Sequence, residues 1–386
     1  MSGDLLFIPG PVTCAQEVLA AMARPMVNHR GEKFAGALKG VQEKLARIYE
    51  TAGDVLVLGS SGTGGLESAV VNLFSPDDVL LSCPVGNFGK RLASIARTYG
   101  ADVEVLDTEP GQGLDPERLA KRLRVDRKHK IKGILLTHNE TSTGVQNHME
   151  ELARAMEGHP ALRVVDSVSG LGASRLPVDE LGFDAVVGAS QKVFAAPPGL
   201  AFVAVSARAW DAIAKAKTPR FYFDFTKARE FGADGQTPWT PPVSQVFALD
   251  VALDRYHAEG AANAHARHVS HAAAIRAGVQ ALGLRLFGDP RYASPTVVTM
   301  VVPEGVKASA VLKELRERHG VVLAGGQGDL KGKIFRMGTM GAINRDDVVR
   351  ALTALGEVLC ARGHACDPAQ AGAAAEQEYV AIAQAG

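Results

Sequence analysis

Val55-Leu56-Val57-Leu58-Gly59-Ser60-Ser61-Gly62-Thr63-Gly64-Gly65-Leu66-Glu67-Ser68-Ala69-Val70 decides the fold. Its first four residues are an apolar run of strand length, its middle is a turn of Gly, Ser and Thr, and its end reads as a helix. The same alternation continues outward. Val79 to Ser82 reads as a strand, Gly89 through Tyr99 as a helix, and Val103 to Leu106, Gly133 to Thr137 and Arg163 to Asp166 as further strands. Asp184 to Gly188 and Leu200 to Val205 close the series without a helix between them, which predicts an antiparallel hairpin. Buried strands separated by helices predict an α/β fold, a large domain with a mostly parallel sheet flanked by helices.

Beyond residue 219 the pattern breaks into Pro, Gly, Thr and aromatic residues up to about 245, which reads as an ordered loop. Helices are expected from Ser244 to Glu259 and from His265 to Leu282. The remainder mixes strands (Thr296 to Val302, Lys333 to Met337) with helices (Ser309 to His319, Arg345 to Arg362), the pattern of a smaller α+β domain. The expected division is an N-terminal segment over 1–16, a large domain over 17–262 and a small C-terminal domain over 263–386. The Ala-rich tail from Ala371 onward reads either as a helix or as a frayed end.

Composition narrows the function. The 386 residues carry 42 Lys+Arg against 42 Asp+Glu, a balance unlike the basic excess of nucleic-acid binders. No apolar run is long enough to span a bilayer, and the N-terminus has no basic region leading into an apolar stretch. Cys14, Cys83, Cys360 and Cys366 show neither CxxC spacing nor the density of a disulfide framework, so no metal site is expected and a reducing, cytoplasmic setting is. Glycine reaches 41 residues, where average usage of about 7 % gives roughly 27, and such an excess marks tight turns and close backbone approach.

Several residues then stand out. The turn 59–65 lies between strand and helix, where backbone N–H groups and the helix dipole favour an anion, although neither GxxxxGK[ST] nor GxGxxG is present. Lys192 follows Ala189-Ser190-Gln191 at a strand end, where a desolvated lysine has a lowered pKa and can form a Schiff base; a snorkelling surface lysine is the ordinary alternative. Asp166 ends Arg163-Val164-Val165, a costly place for a carboxylate without a partner, though helix capping is an alternative. Phe88 sits in Gly86-Asn87-Phe88-Gly89 and could stack on a planar ring. Thr141 lies in Asn139-Glu140-Thr141-Ser142-Thr143-Gly144. Arg336 interrupts a strand-like run and suits bidentate capture of a carboxylate.

The order of these elements, with Val164-Val165-Asp166-Ser167-Val168-Ser169, then Ser190-Gln191-Lys192 and Ala196-Pro197-Pro198-Gly199, resembles the class V aminotransferases of pyridoxal-phosphate fold type I. The branch it looks most like is the alanine/serine–glyoxylate (or pyruvate) aminotransferases, and the likeness runs from Pro9-Gly10-Pro11 to Arg336. The resemblance implies a pyridoxal 5'-phosphate cofactor held covalently by Lys192, with Asp166 paired to its ring nitrogen and Phe88 stacked on its ring. It implies that Ser61, Gly62, Thr63 and Gln191 hold the phosphate and that Thr141 bonds the ring. Arg336 would grip the substrate carboxylate, with Gly10 beside it. Gln236 to Pro242 looks like a loop that serves the neighbouring subunit, with Thr240 reaching the phosphate. Where some relatives have a Tyr, this chain has Thr237, which leaves one cross-subunit contact open.

The expectation is a homodimer that transfers an amino group from serine or alanine to glyoxylate or pyruvate by a ping-pong route. Donors such as ureidoglycine, aspartate or 2-aminoethylphosphonate are alternatives, with His29-Arg30 and Arg229 as candidate receptors of a side-chain charge. A cysteine desulfurase-like lyase fits less well, because Phe88 stands at the ring position and Val321 to Gln327 contains no Cys.

Overall fold

The computed structural model describes residues 4–385. In chain order its strands are β1 (Leu5–Phe7), β2 (Asp54–Gly59), β3 (Val79–Cys83), β4 (Asp102–Val105), β5 (Ile131–Thr137), the short pair β6 (Asn139–Glu140) and β7 (Val145–Gln146), and β8 (Leu162–Asp166). Then come β9 (Ala185–Ala189), β10 (Leu200–Val205), β11 (Val297–Val301), β12 (Val321–Gly325) and β13 (Ile334–Gly338). Seven of them form one sheet in the order β2-β10-β9-β8-β5-β3-β4. All neighbours run parallel except β10, which is antiparallel to both β2 and β9. The hairpin expected from the missing crossover helix is therefore present.

Burial follows the pleat. Along β10, Leu200, Phe202 and Ala204 pack with Phe34, Leu38, Leu45 and Tyr49 on one face. Val203 and Val205 pack with Leu66, Val70 and Phe74 on the other. Successive side chains point to opposite faces, and both faces are covered by helices, so the strand can be apolar throughout. A second sheet, β1-β12-β13-β11, gathers Phe7, Ile275, Met300, Phe335 and Leu355 into its own cluster. β1 pairs in parallel with β12, so the N-terminal segment is stitched to the C-terminal part of the chain.

One helix and one disulfide depart from the sequence reading. The stretch read as a loop contains a helix, Phe225–Ala233, whose N-cap Asp224 accepts hydrogen bonds from the N–H groups of Thr226 and Lys227. A short capped helix among Gly and aromatic residues has little periodicity to betray it. Cys360 and Cys366 are joined as a disulfide, six residues apart, where no pairing was expected from their spacing. The Ala-rich tail is helical over Pro368–Ala385 and buries Ala371 and Ala375. It approaches the helix Ala261–Ala281 so closely that a Cβ on Gly278 would lie 2.8 Å from the Ala371 carbonyl. Among the described residues, no helix is long and apolar enough to cross a membrane.

Candidate active site

The carboxyl ends of β5, β8 and β9 lie side by side, with Thr137 paired to Asp166 and Asp166 to Val187. Crevices beyond such strand ends are where open α/β sheets bind ligands. Here a cleft of about 210 Å³ is lined by Gly10, Ser61, Gly62, Thr63, Phe88, Arg91, Asn139, Thr141, Asp166, Gln191 and Lys192, among others. It brings together all but two of the predicted site residues. Arg336 stands behind it and Thr240 lies elsewhere.

Asp166 is buried at the end of β8, and its Oδ1 accepts from the Val168 N–H at 3.0 Å. Burial pushes its pKa up to about 7; the Val168 bond opposes this, the charge of Glu140 adds to it, and Lys192 and Arg91 pull the value down. Lys192 sits in a loop closed by its own backbone: Ala195 N–H donates to the Lys192 carbonyl and Ala196 N–H to that of Ser190. Its Nζ donates to the Pro9 carbonyl at 2.5 Å. Burial lowers its pKa to about 8, with Arg336 and Arg91 lowering it further and Asp166 opposing them. Gly10 is required for this approach. It has φ +123°, and a Cβ there would lie 2.7 Å from Lys192 Nζ.

Ser61 is the N-cap of the helix Gly62–Leu73, and its side chain makes no capping hydrogen bond. That leaves the hydroxyl and the helix end directed at the cleft, an arrangement suited to a phosphate. A Cβ on Gly62 would come within 2.8 Å of Val168, so the helix start packs against the segment after Asp166. Gln191 has a buried Oε1 with no hydrogen-bond partner. Its amide can rotate end for end, so it can offer either a donor or an acceptor to a bound group. A buried carboxylate, a depressed lysine, a helix N-terminus and an unsatisfied amide together fit pyridoxal phosphate.

Arg336, on β13, is buried and donates through Nε to the Gly325 carbonyl at 2.8 Å and through Nη1 to the Thr141 carbonyl at 2.9 Å. Those bonds fix the guanidinium plane with Nη2 left over for a carboxylate. The Thr141 backbone thus braces Arg336, while the residue itself lines the cleft.

Glu140 was missed by sequence reasoning. It is fully buried, and its Oε2 accepts from the N–H groups of Phe88 and Gly89 at 2.9 and 3.1 Å. Its Oε1 accepts from the Ser142 N–H and hydroxyl, and that hydroxyl in turn accepts from the Asn87 N–H. A distant loop therefore caps the first three N–H groups of the helix Asn87–Thr98 and fixes Phe88. Arg91 was also missed. It lies three residues after Phe88 on that helix, and i,i+3 spacing on one helix face was the available signal.

Thr240 does not reach the cleft of its own chain. It lies in a separate cavity beside Gly59, Tyr222 and Pro241. Arg30 holds that loop by donating to the Thr237 carbonyl at 2.7 Å and to Gln236 Oε1 at 3.0 Å. The Thr237 hydroxyl donates within the loop, to the Trp239 carbonyl. Arg229 pairs with Asp54, and neither Arg30 nor Arg229 lines the cleft of its own chain.

This sheet, its strand-end lysine and aspartate and the backing arginine define a pyridoxal-phosphate-dependent transaminase. The chain belongs to the family described as Aminotransferase class-V, whose model matches residues 13–369. Serine–glyoxylate aminotransferase of Methylorubrum extorquens is 33 % identical to it, over 97 % of this chain and 95 % of the relative. A protein named the soluble hydrogenase 42 kDa subunit of Anabaena cylindrica is 38 % identical, over 96 % and 97 %. Among solved structures, ureidoglycine–glyoxylate aminotransferase from Bacillus subtilis superposes with a TM-score of 0.93 at 30 % identity, covering 98 % of this chain and 99 % of that one.

Proposed function

We propose that the chain transfers the amino group of serine or alanine to glyoxylate or pyruvate, using pyridoxal phosphate attached to Lys192. The observation that carries this reading is Lys192 itself, buried beside Asp166 in a cleft backed by Arg336. When bound, pyridoxal phosphate supplies an electron sink for the bond broken at the substrate Cα.

The chain's own residues do the rest. Lys192 holds the cofactor between turnovers, and its Nζ, neutral from about pH 8 upward, takes the proton from the substrate Cα. Asp166 has little reason to stay ionised alone, but a protonated ring nitrogen beside it restores its charge and is itself held protonated. Phe88 packs against the ring, and Thr141 bonds its edge. Ser61, Gly62, Thr63 and Gln191 bind the phosphate. Arg336 orients the substrate carboxylate, with Gly10 leaving room for it. Thr240 serves the phosphate of a second copy, in a homodimer.

The donor is argued from charge. The cations lining the cleft are Lys192 and Arg91, and Arg91 is engaged with Thr63 and Phe88. Among the described residues of one chain no third cation lines the cleft, and on that ground we favour a small donor without a distal carboxylate. The relatives named for serine and ureidoglycine share glyoxylate as acceptor. A panel of amino donors against glyoxylate and pyruvate, followed by keto acid release, tests the reading. Serine or alanine with glyoxylate should give the highest kcat/KM. Higher values for aspartate or ureidoglycine would overturn the choice of donor.

A further inference from the structure

The phosphate donors considered so far, Ser61, Gly62, Thr63 and Gln191, are all neutral. A phosphate monoester near neutral pH carries a charge of about −1.5 to −2. Neutral hydrogen bonds and a helix N-terminus offset only part of such a charge. A cation within reach of the turn offsets more of it, and Arg91, an exposed side chain lining the cleft, is there.

Arg91 lies one helical turn after Phe88 on the helix Asn87–Thr98, lines the same cleft as Ser61 to Thr63, and donates from Nη1 to Thr63 Oγ1 at 3.2 Å. Its guanidinium carbon stands 4.8 Å from the centroid of the Phe88 ring. Arg122, Arg208 and Arg229 are each matched by a carboxylate, of Glu104, Asp184 and Asp54 respectively. Arg91 joins no ion pair among the described residues. Its contacts are a hydroxyl of the phosphate turn and an aromatic face, which aim the guanidinium without neutralising it.

We infer that Arg91 is the charge partner of the cofactor phosphate. The inference rests on the cleft being a pyridoxal-phosphate site. Thr63 has one hydroxyl hydrogen; accepting from Arg91 leaves that hydrogen free to donate to a phosphate oxygen, so the two residues act as a unit. The Phe88 ring, placed by Glu140, seats the guanidinium and ties the phosphate end of the site to the ring end. Arg91 thereby selects the phosphorylated cofactor over the free vitamer.

The test is the affinity of cofactor-free protein for pyridoxal phosphate and for pyridoxal, which lacks the phosphate, followed by absorbance and without turnover. Arg91→Met should weaken pyridoxal phosphate binding by about ten- to a hundredfold, the worth of a hydrogen bond to a charged group, and leave pyridoxal binding unchanged. Arg91→Lys keeps the charge but not the fork, so it should lose only a few-fold, again for the phosphorylated form alone. It carries the comparison should Arg91→Met fail to fold. Equal losses for both vitamers would show that Arg91 acts by packing on Phe88, and unchanged affinities would show that it does nothing to the phosphate; either overturns the inference. Should the unaltered protein take up neither vitamer, the reading of the cleft itself is what fails.

Discussion

Glu140 makes the most quantitative prediction. Its two oxygens accept from three backbone N–H groups, those of Phe88, Gly89 and Ser142, and from the Ser142 hydroxyl. In Glu140→Gln one oxygen becomes an NH2 group, so at least one of those N–H groups faces a donor. With the amide oxygen turned to the helix end, the group lost is the Ser142 N–H, and the expected cost is about 1–3 kcal/mol. Glu140→Ala orphans all three N–H groups, for roughly 3–6 kcal/mol even with partial relaxation. An unfolding entropy of about 2.1 cal/mol/K per residue over 386 residues converts 1 kcal/mol to about 1.2 °C in Tm. Calorimetry should therefore find Glu140→Gln lower by about 1–4 °C and Glu140→Ala by about 4–7 °C. An alanine variant melting with the unaltered protein, or above the glutamine variant, would refute the capping argument.

Four further outcomes follow from the same geometry. Asp166 has a folded-state pKa of about 7, above the roughly 3.9 of an unfolded aspartate, so its stabilising contribution is complete below about pH 4 and lost as pH rises to 7. Asp166→Asn should thus gain Tm relative to the unaltered cofactor-free protein between pH 4 and 7; parallel pH curves would contradict this. Because Lys192 titrates near 8, the rate of its covalent capture of pyridoxal phosphate should rise about tenfold per pH unit below 8 and level off above, as stopped-flow absorbance would record. Arg336→Lys should raise the KM for the amino acid by about ten- to a hundredfold while the bound cofactor's absorption band stays unchanged. Gly86→Ala should reduce folded yield, because its Cβ would stand 2.4 Å from Glu140 Cγ in a backbone conformation that is otherwise unstrained.

Local pattern made much of the molecule legible. Leu200 to Val205 is a strand at the limits read from sequence, because an apolar run between turns needs no distant information. That Asp166 and Lys192 would meet at one cleft was readable because a charged group at the end of a buried strand has few places open to it. Phe225–Ala233 was not, since its helix is defined by a cap more than by periodicity. Glu140 was invisible for a different reason: its partners lie about fifty residues earlier, at Phe88 and Gly89, and only the sheet brings the two loops together. Arg91 shares a helix face with Phe88, yet its meaning depends on Thr63, contributed by another βα turn. Thr240 shows the converse, a residue singled out by resemblance that its own chain keeps apart from the cleft.

The central claim is that Lys192 carries the cofactor. Incubation with pyridoxal phosphate, reduction with borohydride, and peptide mapping by mass spectrometry test it directly. The account predicts one pyridoxyl adduct, on Lys192, removed by prior treatment with an amino donor. An adduct on another lysine, or none on a folded protein, would contradict it.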